Sequence, residues 1–325
     1  MPDPGSGLIY AYVFDRKGGA RRIDWAGVRA FDPSEGILWI HLDYTCEDSL
    51  KWLIEHNAID SVVREGLLAD QPRPRATVED GGLLFILRSV NMNPGSDPED
   101  MVALRMWLDN DHVVSLRHRI VRSVRVFADQ IESGKAPSSV SETLVTLIEL
   151  ALEELMSQAH QVEDEVWRLE DMVVQAESEE LRHPLADLRR KAIALRRYIA
   201  PEREVVARLQ TLKVPWLDAE ARAHLRECAE RLTRIVEDLD AARDRAAVTQ
   251  EELSNRLSEL ANRRLYVVSI LATIFVPMSF LTGLLGVNVG GIPGQNHPSG
   301  FAILCGAMVV MVIVQIIVFR NRRWL

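Results

Sequence analysis

The chain is 325 residues long, 47% hydrophobic and 26% charged, with a formal net charge of −9. An acidic balance of this size gives no reason to expect a nucleic-acid partner, and Cys46, Cys228 and Cys305, scattered without CxxC spacing, exclude a disulfide framework. The N-terminus, MPDPGSGLIYAYVFDRKGG, has no basic segment followed by an apolar run, so no cleavable signal is expected.

Residues 1–135 read as an α/β domain. Leu8 to Phe14, Gly36 to Leu42, Leu83 to Val90, Val102 to Leu108 and His112 to Arg117 are short runs rich in branched and aromatic residues, bounded by turns such as Asp80-Gly81-Gly82 and Asp109-Asn110-Asp111. Ser49 to His56 and Asp60 to Leu68 space their apolar residues as helices do. No phosphate-binding glycine loop and no nucleophile-base constellation is visible, so an enzyme is not expected.

Residues 136–215 read as a charged helical hairpin. Ser139 with Glu142 forms a capping box that opens a helix running to about Ser178. Glu142 to Glu180 holds twelve acids against Arg168 alone, whereas Arg182 to Lys213 holds nine bases against Asp187, Glu202 and Glu204. That reversal, at His183-Pro184, predicts an antiparallel pair with cross-helix charge matching, its charged faces otherwise solvated.

Residues 216–264 form a stalk helix that Asp218 is placed to cap. Leu225, Cys228, Leu232, Ile235, Leu239, Ala242, Ala246, Leu253 and Leu260 make a seam stepping by threes and fours, which asks for partner helices from this chain or from copies of it. Nothing stops the helix before Leu285, so Ala219 to Leu285 reads as one element of 67 residues. His224 and Cys228, at i and i+4 beside Glu227, have the spacing of two zinc ligands. Cys228 also falls on the apolar seam, and there packing is the first reading.

From Leu265 to Phe319 there is no Asp, Glu, Lys or Arg. Leu265 to Leu285 (21 residues) and Phe301 to Phe319 (19 residues) are each long enough to cross a hydrocarbon core of roughly 30 Å. The segment 286–300 between them is too rich in glycine and proline to continue a helix. Arg263 and Arg264 precede the first span and Arg320, Arg322 and Arg323 follow the second, so both termini are expected in the cytoplasm, with residues 320–325 as a tail and only the loop outside. Two spans cannot enclose an aqueous path, so conduction requires an oligomer. The first span carries Ser269, Ala272, Thr273, Ser279, Thr282 and Gly283, and either lines a path or packs closely against other helices. The second, rich in valine and isoleucine, reads as lipid-facing.

The run ATIFVPMSFLTGLLGVNV, Ala272 to Val289, resembles the signature of the CorA superfamily of two-span divalent-cation transporters, in which a Gly-Met/Val-Asn tripeptide closes the first span. Gly286-Val287-Asn288 stands at that place, Pro277 lies at the expected point inside the span, and LRRYIAPER, Leu195 to Arg203, is similar to a family stretch ahead of the stalk. The resemblance implies the fold class: an α+β cytoplasmic domain, a long α-helical stalk and two C-terminal transmembrane helices, assembled as a funnel-shaped homopentamer. It also implies an Asn288 ring of carbonyl oxygens at the outer mouth, an ion-selecting Gly286-Val287-Asn288, and a pore face of Asn262, Leu265, Val268, Ala272, Val276, Ser279 and Gly283.

The loop Val289 to Gly294 lacks the carboxylate of the magnesium-transporting members, and its GVNVGGIPG form resembles the ZntB-like branch. The implied function is transport of Zn²⁺ across a bacterial inner membrane, possible proton coupling included, with no prosthetic group. Two alternatives stay open: a magnesium or general divalent-cation channel, and a membrane-tethered coiled-coil sensor without flux. His297 is the loop's one nitrogen ligand and belongs to the residue type that titrates near neutral pH, as an ion or proton handler or as an incidental loop residue.

Overall fold

The computed structural model describes residues 6–56, 59–79, 81–175, 179–287, 292 and 297–322. It forms two compact units, Met1–Glu251 and Glu252–Leu325.

The first unit is built on a seven-stranded sheet of β1 (Leu8–Phe14), β2 (Ala20–Arg22), β3 (Ile37–Asp43), β4 (Arg75–Glu79), β5 (Gly82–Ser89), β6 (Val102–Leu108) and β7 (His112–Arg117), in the order β2-β1-β3-β7-β6-β5-β4. Only β3 and β7 pair in parallel; the other neighbours are antiparallel. Between β2 and β3 lies α1 (Trp25–Arg29), opened by the Asp24 carboxylate, which accepts the Gly27 N–H. The two-residue period of a strand sends Ile40, Leu42, Ile86, Val114 and Leu116 to one face, where α2 (Glu47–Glu55) and α3 (Ser61–Leu68) bury them beneath Leu53 and Leu67. It sends Trp39 to the other face, where Phe127 of α4 (Arg122–Glu132) meets it edge-on at 4.7 Å. With both faces covered, the central strands read as unbroken hydrophobic runs.

The five expected strands stand within a residue or so of their predicted places. β2, β4, α1 and α4 are additions. β2 and β4 are the two edge strands, short and largely polar, and α4 starts at Val121 without a side-chain cap.

The charged helices belong to this same unit. The Ser139 hydroxyl accepts the Glu142 N–H at 3.0 Å and opens α5 (Val140–Gln175), while the Glu142 carboxylate turns to the Ser138 N–H at 2.7 Å. α6 (Arg182–Leu209) follows a short 3₁₀ turn and holds Pro184 in its first turn, where a missing N–H costs nothing. Asp218 accepts the Ala221 N–H at 2.7 Å, as its capping place predicts, and α7 (Ala219–Leu285) runs unbroken over 67 residues.

The expected charge matching of α5 with α6 takes a different form. Among the described residues the ion pairs that join these helices to another run to α7, Glu170 of α5 to Arg245 and Arg196 of α6 to Asp240 at 2.6 Å, and Glu149 contacts His224 of α7 at 3.2 Å; Arg168 with Glu165 and Arg190 with Asp187 pair within their own helices. Arg245 also lies 3.6 Å from the Trp167 ring centroid. The α7 seam is buried from Leu225 through Cys228, Leu232, Ile235, Leu239, Ala242 and Ala246. The stalk thus finds partners for this part of its seam within its own chain.

Glu202 of α6 is fully buried. Its Oε1 accepts the Arg88 peptide N–H at 2.5 Å, and Oε2 has no partner among the described residues. Burial pushes the carboxyl up to about 8, against the pull of that N–H and of the Arg88 charge. A carboxyl raised on folding favours the native state in its protonated form. Its contribution is complete below the unfolded value and is lost as pH climbs through the folded one. Thermal unfolding of Glu202→Gln, compared with the natural chain at steps between about pH 5 and about pH 9, should show the variant gaining relative stability as pH rises. A difference that stays flat across this window would contradict a buried neutral carboxyl.

Candidate functional site

In the second unit, two helices are long and apolar enough to cross a membrane: the end of α7 and α8 (Gly300–Asn321). Neither is buried within the chain, so their apolar side chains are left for lipid or for other copies.

Proline breaks the hydrogen-bond ladder of α7 at a definite place. Pro277 has no N–H, so the carbonyl four residues earlier, Thr273, loses its helical donor. In hydrocarbon no water can replace it. Gln315 of α8 does so: its Nε2 donates to the Thr273 carbonyl at 3.2 Å. Half-buried positions mark the joined faces, Ile270, Ile274, Pro277, Met278 and Leu281 on α7, and Leu304, Met308, Val312 and Gln315 on α8. The second span is therefore not wholly a lipid-facing element. One of its stripes carries an amide that completes the first span, a role that a lone glutamine in an apolar run does not announce.

The expected pore residues occupy the other side of α7. At about 100° per residue, the half-buried group centres opposite Asn262, Leu265, Val268, Ala272, Val276, Ser279 and Gly283. All seven are exposed, Leu265, Val268 and Val276 by more than three-fifths, and a Cβ built on Gly283 would meet nothing within 4 Å. The stripe is apolar at its centre, with an amide, a hydroxyl and a glycine toward its ends. Near the end of α7 the Thr282 hydroxyl donates to the Met278 and Ser279 carbonyls, each at 3.1 Å, and the Gly286 N–H bonds the Thr282 carbonyl at 2.9 Å. Gly286 and Val287 are exposed there. Asn288 and, apart from Ile292, the Val289–Gly294 loop lie outside the described residues.

The remaining candidate ligands do not converge. His297 begins the turn into α8: its Nδ1 accepts the Ser299 N–H at 3.2 Å and its carbonyl accepts the Gly300 N–H at 3.0 Å. Cys228 is buried in the α7 seam, and that burial pushes its thiol up to about 12, which disfavours the thiolate a metal needs. Its neighbour His224 points its Nδ1 at Glu149. Among the described residues no three His, Cys, Asp or Glu side chains gather to hold a metal ion. The i, i+4 spacing of His224 and Cys228 here serves packing and a side-chain contact with Glu149.

A mixed α/β domain joined through one long helix to two charge-free spans, the first broken by proline and mended by the second, defines a two-span membrane protein of the transporter type. The chain belongs to the CorA-like Mg²⁺ transporter protein family, whose model matches residues 34–322, and within that superfamily to the ZntB-like branch. It is 36% identical over 320 residues to the zinc transport protein ZntB of Yersinia enterocolitica, covering 98% of this chain and 97% of that one. It is 37% identical over 323 residues to the divalent cation transporter CmaX of Pseudomonas aeruginosa, at the same coverage. The solved full-length CmaX structure superposes with a TM-score of 0.87 at 36% identity over the whole of both chains. The CorA magnesium transporter of Methanocaldococcus jannaschii shares the fold, with a TM-score of 0.82 at 17% identity over 98% of this chain and 99% of that one.

Replacing Gln315 with Leu should loosen the two spans by about 1 kcal/mol, the scale of a hydrogen bond between membrane helices. Restoring the N–H with Pro277→Ala should remove most of that loss, because Thr273 regains its own helical donor. The check is a double-mutant cycle on the denaturation of the purified protein in detergent. An additive cycle would show that the amide and the proline are unconnected.

Proposed function

We propose that the chain moves divalent cations, with zinc as its cargo, through a central path made by several copies of α7. The carrying observation is the exposed Asn262-to-Gly283 stripe on the side of α7 away from α8, leading into Gly286-Val287-Asn288 with no charge anywhere in the span. Two helices cannot surround water, so the path requires copies. A homopentamer, funnel-shaped by family likeness, puts five α7 helices inside and five α8 helices outside. Asn288 then forms a ring of neutral carbonyl oxygens, hard ligands suited to a hydrated dication. Val276, Ala272, Val268 and Leu265 narrow the path with apolar walls that gate it by dewetting.

Arginines at 263, 264, 320, 322 and 323 put both termini in the cytoplasm and the 286–300 loop outside. A bacterial inner membrane suits that arrangement. Zinc is favoured over magnesium by the name of the similar ZntB protein and by the loop chemistry. Magnesium holds its waters tightly and is drawn in by carboxylates, which Leu265 to Phe319 entirely lacks. Proton coupling would fall to His297, the one histidine of that segment.

Radiotracer zinc and magnesium uptake into proteoliposomes, with and without a pH gradient, tests the whole reading. Zinc uptake should exceed magnesium uptake, and Asn288→Ala should reduce it to the level of protein-free vesicles. Full zinc flux in Asn288→Ala would remove the asparagine ring from the pathway. Equal flux of the two metals would assign a general divalent channel, and a His297→Ala variant that keeps its response to the pH gradient would rule out that histidine as the proton handler.

A further inference from the structure

Two arginines in the first unit are buried, and neither makes an ion pair among the described residues. Arg88 on β5 is 8% exposed and Arg105 on β6 is 3% exposed. The register pairs Arg88 with Ala103, so Arg105, two residues along, stands on the same face as its diagonal neighbour, about 7–8 Å away between backbones. Two like charges are thus held close together out of water.

Their hydrogen bonds go to neutral groups. Arg88 donates from Nε to the Pro72 carbonyl at 3.2 Å and from Nη1 to the Met101 carbonyl at 3.0 Å. Arg105 donates from Nη1 to the Leu67 carbonyl at 2.8 Å and from Nη2 to the Asp70 carbonyl at 3.4 Å, and its buried Nε has no partner among the described residues. Each guanidinium also meets a tyrosine ring, Arg88 at 5.1 Å from Tyr198 and Arg105 at 4.6 Å from Tyr44. Carbonyl dipoles and ring faces offset part of the desolvation but supply no negative charge. Burial pulls both guanidinium pKa values below the usual range, yet arginine stays charged at any physiological pH.

None of the carboxyls nearby pairs directly with either guanidinium, although Asp100 lies close to Arg88 and Asp70 to Arg105. Asp100 pairs with Arg119 at 2.7 Å, Asp70 contributes its backbone carbonyl, and Glu202 bonds the Arg88 peptide N–H rather than its guanidinium. Fully buried arginines are rare in proteins unless paired, and removing an ion's partner leaves the cost of its desolvation uncovered.

Both side chains open on one cavity of about 580 Å³, which Tyr44, Tyr198 and His118 also line. Its volume falls in the range of small-molecule sites and exceeds what a lone phosphate needs. We propose that this cavity binds a small molecule carrying two or more phosphate groups, such as a nucleoside diphosphate, whose phosphate oxygens accept from Arg88 and Arg105 and supply the missing charge. The planar forks of arginine suit phosphate oxygens, and the two tyrosine rings offer apolar surface to the rest of the ligand. Occupancy of such a site ties the state of the sheet domain to a soluble metabolite.

The test is isothermal titration of pyrophosphate, ADP and citrate into the full-length protein in detergent, at constant ionic strength and without divalent metal. Pyrophosphate and ADP should bind saturably, one per chain, and at least tenfold more tightly than citrate. Arg105→Gln should weaken ADP at least tenfold while leaving the ligand-free melting temperature equal or higher, because an uncompensated charge has gone. If that variant does not fold, Ala103→Glu serves instead: it sets a tethered carboxylate opposite Arg88 at a half-exposed position and should abolish binding. No saturable binding of either phosphate, citrate binding as tightly as pyrophosphate, or unchanged ADP affinity in Ala103→Glu would overturn the proposal.

Discussion

A peptide carbonyl without a donor is unfavourable inside a hydrocarbon layer, and Pro277 creates one at Thr273. Gln315 removes that cost by donating from the second span. The bond does more than repair a helix. By tying one residue of α8 to one carbonyl of α7, it fixes the rotation of the two helices about their own axes. That rotation decides which residues of α7 are covered and which stay open. The stripe from Asn262 to Gly283 is open because the opposite stripe, centred near Ile274 and Pro277, is taken. A break in the helix, usually read as a source of flexibility, here acts as a register mark.

The first unit meets the same requirement with different materials. Ser115 takes the Trp39 N–H at 3.1 Å, contacts His41 Nδ1 at 2.9 Å and donates to the Ile40 carbonyl at 3.0 Å, so three buried polar groups share one hydroxyl. Burial holds His41 neutral, its pKa lowered to about 3. Between helices the charges of α5 and α6 are likewise matched to α7, where Arg245 meets both Glu170 and the Trp167 ring. Against this background Arg88 and Arg105 stand out, since their hydrogen bonds go to peptide carbonyls and no carboxylate pairs with either guanidinium.

Much of this architecture was legible in the sequence because it rests on composition and period. A 55-residue stretch without an ionised side chain announces spans whatever the tertiary context, and the α7 seam from Leu225 to Ala246 follows from spacing alone. The central strands were legible for the same reason, being continuous apolar runs. Edge strands β2 and β4 were not, because an edge has little to bury: Ala20–Arg22 is exposed throughout. The two buried arginines were hidden because an arginine in a strand reads as a solvent-facing position, and only the register on β6 and the cover from α3 and α6 reverse that. Gln315 was hidden because one amide in a run of valine and isoleucine gives no period. The reverse case is His224 with Cys228, where the spacing suggested a metal and the fold turned the thiol inward.

The distribution of charge constrains how the proposed path can work. All the ionised side chains behind the net charge of −9 lie outside Leu265 to Phe319. A ring of asparagine oxygens can recognise a hydrated dication by geometry, but neutral dipoles concentrate cations weakly compared with carboxylates. In the proposed path, attraction would fall to the membrane potential and to carboxylates outside the charge-free spans. Selection and attraction would then be separated, with oxygen dipoles choosing the ion, apolar walls controlling wetting, and the pull coming from outside the spans. A path built this way depends little on tight binding anywhere, which suits an ion such as zinc that carboxylate, thiolate and imidazole sites would otherwise hold too long to release.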